Sequence, residues 1–134
     1  MGNQVKKLTI LLVIIFSFLF STTSWGEWSY VTENVNGDKF YYDKDRVRKS
    51  GKYLYLWELF DSVKRFPTGD LSFTSYTQLD CSIFKVKRLK RQSYLNPMGE
   101  GGMTDEWTPP DEWKYPKPNS SLETLFNKVC EEQQ

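Results

Sequence analysis

No histidine occurs anywhere in the sequence. That absence removes the usual proton carrier near neutral pH, and with it the ordinary nucleophile–base triad. It also removes the commonest ligand of a zinc site, and two cysteines alone are too few soft ligands to replace it. The carboxylates Asp43, Asp45, Glu58, Asp61 and Asp80 have no spacing that selects a catalytic pair. Asp43-Lys44-Asp45 lacks the central glycine and later oxygen ligands of a calcium loop. The glycines of "NPMGEGG" lack the spacing and the strand-to-helix setting of a phosphate cradle. The expectation is a protein that is not an enzyme and has no cofactor and no metal.

A strong net charge is also missing. The chain has 18 basic and 17 acidic residues. Such a balance provides no global field for nucleic acid or an anionic membrane, so any basic surface has to be local. A long apolar run is missing too. "LTILLVIIFSFLF", Leu8 to Phe20, follows Lys6 and Lys7. It is shorter than the roughly 20 residues that span a bilayer. With small residues at Ser24 and Gly26, this order reads as a secretory signal peptide over residues 1–26. The expected domain is then residues 27–134, with no transmembrane segment after cleavage and a place in the periplasm, on the cell surface or outside the cell. No cysteine lies near the cleavage site to carry a lipid.

What is present is aromatic and β-like. Aromatic residues make up 16% of the chain, which suits a sheet with a small core of large side chains. Asn36-Gly37 between two β-type runs predicts a hairpin, and Ser50-Gly51 predicts a second. Tyr53 to Val63 is apolar or aromatic on both faces until Glu58, as expected of a central strand. "LSFTSYTQLDC" alternates, with Leu71, Phe73, Leu79 and Cys81 on one face. The phase changes before Phe84 and Val86, and a β-bulge near Ser82 or Ile83 would account for it. "NPMGEGG" reads as a flexible turn. The four prolines after Asp105 exclude a central strand, so "DEWTPPDEWKYPKPNSS" reads as an extended connector whose Trp107, Trp113 and Tyr115 pack on the domain. Ser120 and Glu123 form a capping box, which also gives Asn119-Ser120-Ser121 a simpler role than a glycosylation acceptor. Leu122, Leu125, Phe126 and Val129 then make one helical stripe, and Cys130 falls on it.

Outside the cytoplasm, an even pair of cysteines in a small domain reads as a disulfide. A Cys81–Cys130 bond closing a loop of about 50 residues is worth roughly 4 kcal/mol by chain entropy. It would pin the buried stripe of the helix to the sheet. The predicted fold is therefore α+β: a single antiparallel sheet of about five to six strands with a C-terminal helix fixed to one face. The run "KVKRLKR" concentrates Lys85, Lys87, Arg88, Lys90 and Arg91. It is a candidate surface for an acidic glycan or an acidic segment of a protein partner. A solvated strand face, or an edge guarded by lysines, is the competing reading.

The ordered set "EWSYV", "GDKFYYD", "YLYLWELFD", "TQLDC", "KRLKRQSYLNPMGEGG" and "PNSSLETLFNKVC" resembles the surface-adhesin protein E family of Gram-negative bacteria. The resemblance implies an antiparallel sheet with a disulfide-tethered C-terminal helix. It further implies an adhesin-like binding module, since named members bind host matrix and serum proteins. The alternative is a periplasmic structural or envelope-assembly factor with no role in host adhesion.

Overall fold

The computed structural model describes residues 27–133, so the signal-peptide reading lies outside the described residues. Seven strands form one antiparallel sheet. They are β1 (Ser29–Glu33), β2 (Lys39–Tyr42), β3 (Arg48–Ser50), β4 (Tyr53–Asp61), β5 (Ser72–Asp80), β6 (Lys85–Tyr94) and β7 (Met103–Trp107). A single α-helix, α1 (Ser121–Gln133), follows among the described residues. The strand order is β1-β2-β4-β5-β6-β7, and β3 pairs with β4 beside β2. The 3-10 turn Lys44–Arg46 separates β2 from β3, and Asp43 caps it and pairs with Arg46.

Both glycine-marked hairpins form. Gly37 and Gly51 have positive φ, of 84° and 60°. An L side chain tolerates such backbone angles poorly. β4 is central, and its register sets the two faces. Leu54, Leu56, Glu58 and Phe60 sit opposite Leu79, Thr77, Ser75 and Phe73 of β5. This face meets the helix. Leu125, Phe126 and Val129 pack on Phe40, Tyr42, Leu54, Leu56, Leu79 and Val86. Each fully buried aliphatic or aromatic side chain contributes roughly 1.5–3 kcal/mol, so this layer is the main stabilising unit.

The helix starts as its capping residues require. The Ser120 hydroxyl accepts from the Glu123 N–H, and the Glu123 carboxylate accepts from the N–H of Asn119 rather than that of Ser120. Two links hold the other end. The Cys81–Cys130 bond joins it to the end of β5, with Cα atoms 5.8 Å apart. Tyr42 donates to Glu132 at 2.5 Å, and burial together with that bond pushes its phenol up to about 12.

The structure differs from the sequence reading at three places. The chain does not bulge near Ser82 but reverses there, in a turn over Cys81 to Phe84. The buried Asp80 carboxylate organises that turn by accepting from the Ser82 hydroxyl and from the N–H groups of Ser82 and Ile83. The Ser82 bond first, then the two N–H bonds and Lys52, hold its carboxyl below the usual range despite burial. The bulge lies in β6. Tyr76 pairs with Lys90 and Thr77 with Arg88. That pairing leaves Leu89 as the extra residue.

Second, "NPMGEGG" is a held turn. Met98 N–H donates to Asp61 and Gly99 N–H to the Ser72 hydroxyl, both at 2.9 Å. Third, Asp105, Glu106 and Trp107 belong to edge strand β7 rather than to a connector. The prolines still keep the segment out of the sheet interior. Beyond β7, Lys114 forms one further bridge with Val86 and covers the rest of the β6 edge. Trp113 packs on Tyr53, whereas Tyr115 is two-thirds exposed and packs less than expected.

Candidate functional site

The five basic residues of β6 do not form one surface. Side chains alternate along a strand, and an extra residue reverses the alternation beyond it. Lys85, Lys87 and Lys90 oppose Asp80, Gln78 and Tyr76, on the face away from the helix. Arg88 opposes Thr77, and beyond the Leu89 bulge Arg91 opposes Ser75. Both arginines therefore point to the helix face. There Arg88 donates to Glu58 at 2.8 Å, and Glu58 also accepts from Thr77 at 2.6 Å. The charge of Glu58 raises the pKa of Arg88. Burial lowers that of Arg91, with the charge of Arg88 adding to the effect. The Arg91 guanidinium lies between the Phe73 and Trp107 rings, at 5.9 and 5.8 Å.

The open face carries rings along most of β4, and its buried aliphatic residue there, Leu59, lies beside Gly99. Tyr76 stacks on Tyr55 and lies against Trp57, at centroid distances of 6.2 and 5.1 Å. All three are partly exposed. At one end of the face, the Tyr53 ring meets Trp113 at 5.5 Å. Cations surround that pair and the neighbouring Tyr55. Lys85 and Lys87 lie over the Trp113 ring at 4.5 and 4.9 Å, Lys52 over Tyr53 at 5.3 Å, and Arg48 over Tyr55 at 5.0 Å. Lys87 is paired with Asp111, and Lys90 with Glu106. Among the described residues, Arg48, Lys52 and Lys85 have no carboxylate within ion-pair distance. The cationic group on this face thus draws on two strands and a hairpin turn. Arg48 and Lys52 escaped the sequence reading. The signal for them was the hairpin register itself, which sets Arg48 opposite Tyr55.

The other end of the open face holds a cleft of about 800 Å³. Trp28, Trp57, Tyr94 and Gln92 line it, and the Met98–Gly101 loop forms one wall. Four of the five candidate carboxylates are occupied structurally: Asp43 with Arg46, Glu58 with Arg88, Asp61 with the Met98 N–H, and Asp80 in its turn; Asp45 is exposed in the 3-10 turn. No group of three or more metal-ligating side chains occurs among the described residues. No described helix is long and apolar enough to cross a membrane.

An antiparallel sheet of this order, with one disulfide-tethered C-terminal helix, now stands beside a sequence match. The profile of surface-adhesin protein E matches residues 28–131. The chain belongs to that family. Solved structures agree on the fold. Crystal form II of Haemophilus influenzae protein E superposes with a TM-score of 0.60 at 15% identity, covering 84% of this chain and 92% of that one. Protein E from non-typeable Haemophilus influenzae gives 0.58 at 14% identity, covering 83% and 79%. No curated protein sequence matches the chain. At such identities the structural likeness speaks for the fold, and the family match carries the adhesin-like character.

Proposed function

We propose that this family member is an exported protein that acts by binding, and that its open sheet face engages an acidic segment of a protein or an acidic glycan. The observation that carries the reading is the pairing of uncovered aromatic rings with unpaired cations around Tyr53, Tyr55 and Trp113. Tyr53, Tyr55, Trp57 and Tyr76 are left partly exposed on this face, where a purely structural face would gain more from burying them. Rings with polar tips are well suited to an interface that is wet in one state and dry in the other. In this reading Lys85 acts together with Arg48 and Lys52, and Lys87 is included for its place over the Trp113 ring, although Asp111 pairs with it. Lys90, held by Glu106, is a flank, and Arg88 and Arg91 belong to the other face.

The test uses heparin as an acidic polymer, together with partners captured from envelope and host-matrix fractions. Replacing Arg48, Lys52, Lys85 and Lys87 by glutamine should weaken binding tenfold or more. Parent binding should fall with salt, because screening shortens the reach of exposed charges. Retention of parent affinity by a folded quadruple variant would sink the reading.

A further inference from the structure

On the helix-covered face, α1 stops short of the sheet's far side. Beyond Leu122 the face opens into a cavity of about 630 Å³. That volume is within the range of small-molecule sites. Its walls are rings: Phe60, Phe66 and Phe73 pack edge to face or tilted on one another, at 4.9 to 6.4 Å. Trp107 of β7 closes the opposite side and is 37% exposed. Arg88 and Arg91 reach the floor, beside Ser75 and Ser93.

The charges in this cavity are unevenly committed. Glu58 has both oxygens occupied, one by Arg88 and one by Thr77. Asp70 likewise accepts from Thr104 and Thr68. Asp105 lies exposed at the mouth. The Nε groups of Arg88 and Arg91 are both buried without a partner, but Arg88 is paired with Glu58 through Nη2, whereas Arg91 has no hydrogen bond and no carboxylate within ion-pair distance among the described residues. A buried donor without a partner is costly, so the Arg91 Nε is a place where an acceptor would be bound favourably. Guanidinium matches a carboxylate in a planar, two-pronged geometry.

We infer that this cavity binds an aromatic carboxylate, its ring held among Phe66, Phe73 and Trp107 and its carboxylate against Arg91. One free cation on the floor, with Asp105 at the mouth, suits a single carboxylate and disfavours a polyanion. The chemistry has two sources: a free small acid, or the C-terminal residue of a polypeptide. This site lies on the side of the sheet opposite the acidic-partner surface, so either assignment can fail without the other.

The experiment is calorimetric titration of the exported chain with 4-biphenylacetate and with its neutral analogue 4-biphenylacetamide. A peptide ending in phenylalanine is titrated in parallel, with free and with amidated terminus. The acid should saturate one site and bind at least tenfold more tightly than the amide. Arg91→Gln should remove that preference, and Trp107→Ala should weaken both acid and amide. Tighter binding of the free-terminus peptide than of the small acid identifies a polypeptide end as the source, and the reverse order a small acid. Should Arg91→Gln fail to fold, the acid–amide comparison on the unaltered chain decides. The inference is overturned by equal binding of acid and amide forms, by parent-like binding of a folded Arg91→Gln protein, or by no saturable binding of either acid up to millimolar concentration.

Discussion

The two faces of the sheet are made by the same strands and differ in almost every other respect. On β4, Leu54 and Leu56 point toward the helix and are nearly inaccessible, while Tyr53, Tyr55 and Trp57 point the other way and remain half-buried. Aliphatic side chains gain only by full burial, whereas tyrosine and tryptophan tolerate a wet edge. β6 extends the contrast to cations. Its lysines lie on the open face and its arginines on the covered one. That division follows hydration: guanidinium is weakly hydrated and forms planar pairs, so it suits the drier side better than ammonium.

The largest expected effect breaks the covered face by releasing its helix. Cys81→Ser with Cys130→Ser should cost roughly 4 kcal/mol, the chain-entropy value for a loop of about 50 residues. At about 4–8 °C per kcal/mol for a domain of this size, the melting midpoint should fall by about 15 °C or more. A calorimetric scan within a few degrees of the parent would show that the helix stays docked through Phe126 and its neighbours alone.

Next comes the ion pair at the margin of the core. Glu58→Leu leaves Arg88 without its carboxylate and should cost roughly 3 kcal/mol in urea unfolding. Adding Arg88→Met should recover most of that loss, because removing both partners of a buried pair is often near neutral. If the double variant is no more stable than the single one, the pair does not behave as a buried pair, and the contrast between the faces weakens.

The hairpins, the capping box, the helix stripe and the cysteine pairing were legible because each has a local chemical signature. Gly37 supplies the left-handed residue of its turn, and Ser120 with Glu123 caps a helix. The division of the basic run was not legible. It depends on a turn at Cys81 to Phe84 that contains no glycine, with Phe84 at a φ of 59° and the Asp80 side chain bonding the turn's N–H groups. It depends equally on Leu89, an ordinary strand residue that becomes supernumerary only against β5. Both are consequences of cross-strand register, which periodicity along one segment does not contain. The cavity was hidden for the same reason. Phe60, Phe73, Arg91 and Trp107 come from four different strands.

A smaller effect follows from Tyr42 under the helix. Its pKa is raised from the ordinary 10 to about 12 in the folded state, by burial and by its bond to Glu132. The protonated form is therefore favoured on folding. The contribution is fully present below the unfolded pKa of about 10, and it is lost as pH rises through about 12. Stability should decline across that window, and Tyr42→Phe should flatten the decline while lowering stability at pH 8 by about 1 kcal/mol for the lost hydrogen bond. An unchanged alkaline slope in the variant would move the titration to another group.

The smallest effect is that of Lys85→Gln, read against the same chemical change on the other side of its strand. Arg88→Gln and Lys85→Gln each replace a cation with a neutral amide, three positions apart. Arg88 faces the core with its head on buried Glu58. Its loss should cost about 3 kcal/mol. Lys85 has no carboxylate partner among the described residues, and its contact is the Trp113 ring at 4.5 Å. At an exposed site such a cation–π contact contributes about 0.5–1 kcal/mol, partly offset by the side-chain entropy regained on release. Lys85→Gln should therefore shift the urea midpoint barely beyond error while still weakening capture of an acidic polymer. The two readouts separate what the faces do: stability should follow Arg88 and binding should follow Lys85. Equal stability losses at the two positions would mean that the open face is a second core surface rather than one kept for a partner.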